Sequence, residues 1–369
     1  MTRAKIKPLK LKVSRNIESI IPYPPGKPIE ELERELGITG SIKLASNENP
    51  LGPSKKALGA VSKCLSGLHR YPDGSCFYLK EKLAKALGVD QSMLIFGNGS
   101  NEIIELLIRA FLTKGDEALM ADPSFAVYPI VVKTVGAKAT LVPLIEMRHD
   151  LKAMSGYINK KTRIIFIANP NNPTGTIVTQ KEFDRFMKSV PKDVIVCVDE
   201  AYYEFVRSRE YPDTMPYVKS GRPVVILRTF SKIYGLAGLR IGYGIAHPGL
   251  VGYLNRVRQP FNVNSLAQAA AMAALDDRAH LKKTRDNTIA GLKYLYKEIG
   301  RLGFECVKTE ANFFLVKVGD GRGTYDALLK KGVIVRPMAS YNLPEYIRVT
   351  VGLPEENERF VKTFSEIVR

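Results

Sequence analysis

The chain has 369 residues, of which 45% are hydrophobic and 25% charged, a composition typical of folded globular proteins. No stretch approaches the roughly 18 uninterrupted apolar residues of a membrane-spanning helix, so we expect no membrane span. Basic residues exceed acidic ones by 18 charges, but most are scattered and accompany no nucleic-acid-binding motif. The charge therefore favours anionic small molecules over nucleic acid as ligands.

The cysteines and histidines indicate neither a disulfide framework nor a metal site. Cys64, Cys76, Cys197 and Cys306 form no CxxC pair, and the four histidines lack HExxH spacing. Residues 1–15 are basic but lack the apolar segment of a secretory signal. We therefore predict free thiols in a cytoplasmic protein that holds no metal.

The first 44 residues are predicted to be an arm rather than a regular element. Six cations precede the first acid, and five proline or glycine residues between positions 22 and 28 interrupt any helix or strand. The cations are Arg3, Lys5, Lys7, Lys10, Lys12 and Arg15. We expect this arm to lie extended across the body and to contribute to a small domain.

Short apolar segments then alternate with helical patterns. Strands are predicted at Met93–Phe96, Ala118–Met120, Arg163–Ile167, Asp193–Val198, Pro223–Leu227 and Leu239–Ile245. The clearest helix is Asn101–Leu112, whose apolar residues recur at helical spacing. This alternation predicts an α/β fold for residues 45–270, with a mainly parallel sheet sandwiched by helices.

Residues 271–369 are predicted to form a smaller α+β domain, because strands and helices no longer alternate strictly. Helices are expected at Asp276–Gly300 and Glu355–Val368. Strands are expected at Phe313–Val318, Val333–Val335 and Tyr346–Val351.

Four polar segments follow predicted strands of the larger domain: GNGS (97–100), NPNNPTG (169–175), VDEAY (198–202) and RTFSK (228–232). In open α/β sheets, ligands bind at the carboxyl ends of the strands. Each segment alone has a plain explanation. Ser100 can cap a helix, NPNNPTG can be a rigid loop with a cis proline, Asp199 can cap a helix, and Lys232 can be a surface lysine.

Taken together, these segments match the chemical needs of pyridoxal 5'-phosphate (PLP). The Lys232 amine can form a Schiff base with the PLP aldehyde, and Asp199 can keep the pyridine nitrogen protonated. A tyrosine and an asparagine can bind the phenolate oxygen. An arginine, a serine and a helix N-terminus can hold the phosphate.

NPNNPTG, VDEAY and RTFSKIYGLAGLRIGY resemble the signature segments of fold-type I, class I/II PLP-dependent aminotransferases. The resemblance implies that Lys232 is the Schiff-base lysine and that Asp199 contacts the ring nitrogen. It implies that Asn172 and Tyr202 contact the phenolate oxygen and that Phe125 stacks on the ring. Ser100, Asn101, Ser231 and Arg240 would hold the phosphate.

YPPGKPIEELERELG, LASNENPLGPS and RYPDG are similar to segments of the histidinol-phosphate aminotransferases. This resemblance implies that Tyr23 lies near the substrate imidazole and that Asn47 is among the substrate-binding residues. It implies that Arg348, in YIRVTVG, binds the acidic tail of the substrate. Tyr71 would reach the cofactor phosphate of the neighbouring subunit in a homodimer with shared sites.

The reaction implied is a ping-pong transamination in histidine biosynthesis. It converts L-histidinol phosphate and 2-oxoglutarate into 3-(imidazol-4-yl)-2-oxopropyl phosphate and L-glutamate. Phe261 departs from the pattern, since some members carry there a tyrosine that helps to bind the substrate phosphate, so an aromatic amino-acid aminotransferase stays an alternative. A threonine-phosphate decarboxylase is a further alternative, against which the Tyr23 motif argues. A non-catalytic, basic nucleic-acid-binding protein is the alternative from another class.

Overall fold

The computed structural model describes residue 9 and residues 11–368. The α-helices of this part are α1 (Arg15–Glu18), α2 (Ile29–Leu36), α3 (Lys55–Cys64), α4 (Phe77–Leu87), α5 (Ser100–Phe111), α6 (Val127–Thr134), α7 (Leu151–Tyr157), α8 (Gln180–Ser189), α9 (Met215–Lys219), α10 (Pro248–Val257), α11 (Ser265–Leu275), α12 (Arg278–Arg301), α13 (Gly321–Lys330) and α14 (Pro354–Ile367). No helix of the described residues is long and apolar enough to cross a membrane.

The strands of the same part are β1 (Ile42–Lys43), β2 (Leu94–Asn98), β3 (Glu117–Asp122), β4 (Lys138–Pro143), β5 (Thr162–Ala168), β6 (Ile195–Asp199), β7 (Val224–Thr229), β8 (Ile241–Ala246), β9 (Glu305–Cys306), β10 (Phe313–Lys317), β11 (Val333–Ile334), β12 (Arg336–Pro337) and β13 (Tyr346–Thr350). Every strand predicted from the sequence is present, with each end within two residues of the prediction. Strands β1, β4, β9 and β12 are not among the predicted ones.

A seven-stranded sheet, ordered β2-β8-β7-β6-β5-β3-β4, forms the centre of the molecule. All neighbouring pairs are parallel except the two that involve β8. Alternate residues of β6 enter different cores, with Val196 and Val198 on one face and Ile195 and Cys197 on the other. Both faces are covered, which explains the near-continuous apolar strands. The predicted α/β fold is confirmed.

A second, antiparallel sheet, ordered β12-β13-β10-β9, lies in the C-terminal part. Its core includes Phe314 of β10, Leu295 of α12 and Phe360 of α14. Strand β1 pairs in parallel with β11, so the segment before residue 45 joins this C-terminal part through backbone hydrogen bonds. The boundaries at residues 44 and 270 stay a prediction.

The arm is partly helical, which corrects the expectation of a wholly extended segment. Helix α1 forms a single turn before Pro22, and α2 begins directly after Pro28. The side-chain amide of Asn16 donates to the carbonyl oxygens of Lys133 (2.9 Å) and Thr134 (3.2 Å), at the C-terminal end of α6. Of the predicted arm cations, Arg3, Lys5, Lys7 and Lys10 lie outside the described residues.

The topology brings the four polar segments to one edge of the large sheet. Strands β2, β5, β6 and β7 run in the same direction, so their carboxyl ends meet at this edge. Strand β8 runs the opposite way, and Arg240, which precedes it, therefore lies at the same edge. We call this line of strand ends the carboxyl edge.

Candidate active site

A cavity of about 420 Å³ lies at the carboxyl edge, with walls from the large sheet, the small sheet and the arm. Twelve of the thirteen residues that the sequence singled out line it: Tyr23, Asn47, Ser100, Asn101, Phe125, Asn172, Asp199, Tyr202, Ser231, Lys232, Arg240 and Arg348. These side chains come from positions as far apart in the chain as 23 and 348. The fold therefore assembles one site from segments that are dispersed in sequence.

One end of the cavity has the features of an anion site. Helix α5 begins at Ser100 in the cavity wall, and the first N–H groups of a helix have no partner within the helix. Gly99 has a φ of 78°, and a Cβ on it would lie 2.5 Å from Nη2 of Arg240. Ser231 adds a hydroxyl, bonded to Thr229 Oγ1 at 3.0 Å. Cation, hydroxyl and helix N-terminus together suit a phosphate.

Lys232 follows β7 and presents its amine to the cavity. Its Nζ donates to the carbonyl oxygen of Ser46 at 3.3 Å and lies 5.6 Å from the ring centre of Tyr202. Burial lowers the pKa of Lys232 to about 8, and the positive charges of Arg348 and Arg240 act in the same direction. A substantial fraction of the amine is consequently neutral near pH 8, the form that can act as a nucleophile or a base.

Asp199 ends β6 and is almost fully buried. Tyr128 Oη donates to its Oδ2 at 2.8 Å, and the backbone N–H of Ala201 donates to its Oδ1 at 3.2 Å. Burial raises the pKa of Asp199 to about 6, although both hydrogen bonds oppose the rise. The carboxylate thus carries an unfavourable desolvation that a cation in the cavity would offset.

Tyr202 is held by two side-chain amides. Asn47 Nδ2 donates to its Oη at 2.9 Å, and Asn172 Nδ2 does so at 3.5 Å. Arg348 Nη1 donates to Asn172 Oδ1 at 2.6 Å, which turns the amide nitrogen of Asn172 toward the interior of the cavity. Burial raises the pKa of Tyr202, so this hydroxyl stays protonated at neutral pH.

The structure adds two residues that the sequence analysis missed, Arg336 and Tyr128. Arg336 lines the cavity, is 8% exposed, and stands opposite Arg348 in the β12–β13 ladder. Its Nη2 donates to Pro24 O at 2.8 Å, and its guanidinium lies 5.5 Å from the ring centre of Tyr23. An arginine inside an apolar strand segment, VIVRP, was the sequence signal for Arg336.

Tyr71 is the predicted site residue that lies outside this cavity. It is 84% exposed, and its ring stacks on that of Phe261 with centroids 5.0 Å apart. Phe261 is itself 46% exposed and has a φ of 54°. Within one chain, therefore, these two aromatic rings form an exposed pair outside the cavity that Lys232 lines.

The chain matches the family described as aminotransferase class I and II over residues 39–364. It is 51% identical over 95% of its length to a histidinol-phosphate aminotransferase of Moorella thermoacetica, covering 92% of that protein. It is 49% identical to one of Desulfotalea psychrophila, covering 98% of this chain and 96% of that one.

A solved histidinol-phosphate aminotransferase of Sinorhizobium meliloti, in complex with pyridoxal 5'-phosphate, superposes with a TM-score of 0.89. The two chains are 25% identical, and the match covers 97% of this chain and 98% of that one. The likeness thus extends over both sheets and the arm.

The residues of the cavity fit this cofactor. Asn101 Oδ1 and Arg348 Nε are buried there without a hydrogen-bond partner among the described residues, which indicates a polar ligand. The cavity offers a buried carboxylate for a pyridine nitrogen, an amine for an aldehyde and an anion site for a phosphate. The chain belongs to the aminotransferase class I and II family, among its histidinol-phosphate aminotransferases, and its cofactor is pyridoxal 5'-phosphate.

Proposed function

We propose that this protein transfers the amino group of L-histidinol phosphate to 2-oxoglutarate, in histidine biosynthesis. The names of its half-identical relatives support this substrate. The observation that carries the proposal is the facing pair Arg336 and Arg348 in the cavity wall. One substrate ends in a phosphate and the other in a carboxylate, and a planar guanidinium pairs with either anion through two hydrogen bonds.

Different residues would hold the different parts of PLP. Lys232 is the residue for its aldehyde, Asp199 for its pyridine nitrogen and Phe125 for its ring face. Its phosphate would lie against Arg240, Ser231 and the start of α5, at Ser100 and Asn101. When bound, the cofactor supplies an electron-withdrawing ring conjugated with the carbon that bears the substrate amine.

Lys232 is proposed to be the base that removes the proton from the substrate α-carbon. With a pKa of about 8, roughly a quarter of the amine is neutral at pH 7.5, against about one part in a thousand for an ordinary lysine. The neutral Nζ would take the proton from the substrate α-carbon and, once charged, would hold that proton until it is passed on. The positive charges of Arg348 and Arg240 destabilise the charged form of the Lys232 amine and so help to keep its pKa low.

Asn47, Asn172 and Tyr202 are proposed to orient the ring and the substrate. Tyr202 and Asn172 are assigned to the phenolate oxygen, since both can donate a hydrogen bond toward the cavity. Asn47 Nδ2 fixes the Tyr202 hydroxyl, and Arg348 fixes the Asn172 amide. Tyr23 of the arm is assigned to the imidazole side of the substrate.

A homodimer with shared sites is proposed, with Tyr71 contributing to the phosphate site of the partner subunit. The stacked pair Tyr71 and Phe261 is exposed, and further exposed apolar side chains occur at Leu58, Leu68 and Phe77. Exposed apolar and aromatic side chains of this kind are typical of surfaces that bind another protein. The described cysteines are unpaired, which fits the reducing cytoplasm that we propose as the compartment.

The function is tested with one half-reaction. PLP-loaded protein, freed of excess cofactor, is mixed with L-histidinol phosphate without an acceptor. We expect the visible absorbance of the bound cofactor to disappear and to return when 2-oxoglutarate is added. Lys232→Ala is the inactive control. If phenylalanine or tyrosine discharges the band and L-histidinol phosphate does not, the protein is an aromatic aminotransferase, the alternative that Phe261 favours because it lacks a hydroxyl.

A further inference from the structure

A network of buried polar side chains lies behind the cavity, around Asn171. Asn171 Nδ2 donates to Pro123 O (3.2 Å) and to Thr174 Oγ1 (3.0 Å). Its Oδ1 lies 2.9 Å from Ser124 Oγ and 3.1 Å from His149 Nε2. Asn171 is completely buried, and all four hydrogen-bonding positions of its side-chain amide are filled.

The network determines which ring nitrogen of His149 carries the hydrogen. A carbonyl oxygen only accepts, so the atom of Asn171 that faces Pro123 O is the amide nitrogen. The amide oxygen consequently faces His149, whose Nε2 must carry a hydrogen to donate. Burial lowers the pKa of His149 to about 4, so the ring is neutral at physiological pH. Its Nδ1, the acceptor nitrogen of this form of the ring, has no partner among the described residues.

Asn171 joins two segments that both reach the cavity. Ser124 directly precedes Phe125, and Asn171 directly precedes Asn172; Phe125 and Asn172 both line the cavity wall. A change in the position of Asn171 is therefore transmitted to both wall residues through single peptide units.

His149 directly follows a tight hairpin, which positions it beside Asn171. Ile145 and Arg148 exchange two backbone hydrogen bonds, of 3.0 and 2.8 Å. The two residues between them, Glu146 and Met147, have φ values of 49° and 62°, which side chains with a Cβ seldom adopt. A backbone in this conformation persists only where surrounding contacts determine it.

Contacts of that kind are present. Thr176 Oγ1 donates to Met147 O at 2.7 Å, and Arg148 Nε donates to Ile177 O at 3.1 Å. Both partners belong to the end of the Asn171 turn and the segment that follows it. The two hydrogen bonds thus hold the strained hairpin, just before His149, against the chain that follows Asn171.

We propose that His149, acting through Asn171, is a positioning residue that keeps Phe125 and Asn172 in place to receive the cofactor. The inference rests on the proposed function, in which these two wall residues contact the ring and its phenolate oxygen. His149 itself touches neither the cavity nor the reacting atoms.

The test compares His149→Gln, which keeps an N–H donor at a similar reach, with His149→Phe, which fills the space without a donor. Two quantities are measured on PLP-loaded protein: the dissociation constant of PLP, by equilibrium dialysis, and the pH at which the visible absorbance titrates. The pH of this titration reports on Asn172. If Asn172 no longer donates a hydrogen bond to the phenolate oxygen, that oxygen keeps more negative charge and holds a neighbouring proton more tightly, so the titration moves to higher pH.

We expect His149→Phe to weaken PLP binding about tenfold and to move the titration upward by half a pH unit or more. His149→Gln should stay within about twofold of the wild type and within about 0.2 pH units. Equal behaviour of the two variants, or a His149→Phe protein that loses only thermal stability, would overturn the proposal.

If His149→Phe does not fold, Ser124→Ala decides the question, because it removes one of the two donors to Asn171 Oδ1. A smaller upward shift of the titration is expected, with the exposed Ser62→Ala as control; an unchanged titration refutes the inference. The titration needs no substrate, so it is read separately from the wild-type half-reaction, whose failure would refute the proposed function instead.

Discussion

Arg336 and Arg348 stand directly opposite each other in the β12–β13 ladder, and both are almost fully buried in the cavity wall. Like charges in opposing strand positions destabilise a sheet, the more so when water is excluded. The pair therefore indicates a site that is balanced by a bound anion. Pro24 O, Ala45 O and Asn172 Oδ1 each accept one hydrogen bond from the pair and satisfy only part of its donor capacity.

Replacement of Arg336 by Met is expected to raise the KM for L-histidinol phosphate about ten- to a hundredfold, because one charge-assisted contact to the phosphate is lost. The change in kcat should be small, since this contact is equally present in the ground state and the transition state. Steady-state kinetics decide the matter. Arg322→Met, which removes an exposed arginine, is the control; an unchanged KM would mean that Arg348 alone binds the anion.

The pH dependence of cofactor capture should follow the amine of Lys232. Because its pKa is about 8, the rate at which apo-protein takes up PLP is expected to rise with pH and to level off above about pH 8. Arg348→Gln removes a neighbouring positive charge, so the pKa of Lys232 should increase and the profile should move to higher pH. Stopped-flow absorbance measures both profiles, and an unmoved profile in the variant would contradict this electrostatic origin.

Much of the site could be predicted because its residues occur in short contiguous motifs at strand ends. Asp199, Lys232 and Arg240 each follow or precede an apolar strand, and topology then brings the strand ends together. Tyr128 could not be found in this way, since its contact with Asp199 joins residues 71 positions apart. The place of Arg336 in the site could not be predicted for a similar reason, because only the β12–β13 register sets it opposite Arg348.

Strand β4 illustrates the corresponding limit for the fold. It lies at the edge of the large sheet, and of its six residues only Val142 is buried. The hydrophobic pattern that predicted the central strands is therefore missing from its sequence, KATLVP. Its pairing with β3 over the full length depends on backbone hydrogen bonds, to which side-chain periodicity gives no clue.

Gly99 is expected to be indispensable for holding the phosphate of PLP. In Gly99→Ala the new methyl group would lie against Nη2 of Arg240 and displace that guanidinium, and the φ of 78° adds backbone strain. We expect PLP to bind at least tenfold more weakly, as measured by equilibrium dialysis. Gly88→Ala is a matched control, because Gly88 has a φ of 63° but no atom near its would-be Cβ. Equal losses in both variants would assign the effect to backbone strain alone.

The buried carboxylate of Asp199 is expected to lower the stability of the apo-protein at neutral pH and to strengthen the binding of PLP. Its pKa is about 6 in the folded chain and 3.8 in the unfolded one, so the folded state binds the proton more tightly between these values. The free energy of unfolding therefore falls as pH rises from about 4 to 6, by up to ~3 kcal/mol, and the loss is complete at neutral pH.

Asp199→Asn removes this ionisation and keeps an oxygen that can accept from Tyr128. At pH 7.5 the apo-variant is expected to be ~1–3 kcal/mol more stable than the wild type in urea unfolding, and the difference should vanish below pH 4. Its affinity for PLP should fall at least tenfold, because a neutral amide cannot pair with a protonated pyridine nitrogen. The exposed Asp286→Asn serves as control. A pH-independent difference in stability would show that the buried carboxylate is not its cause.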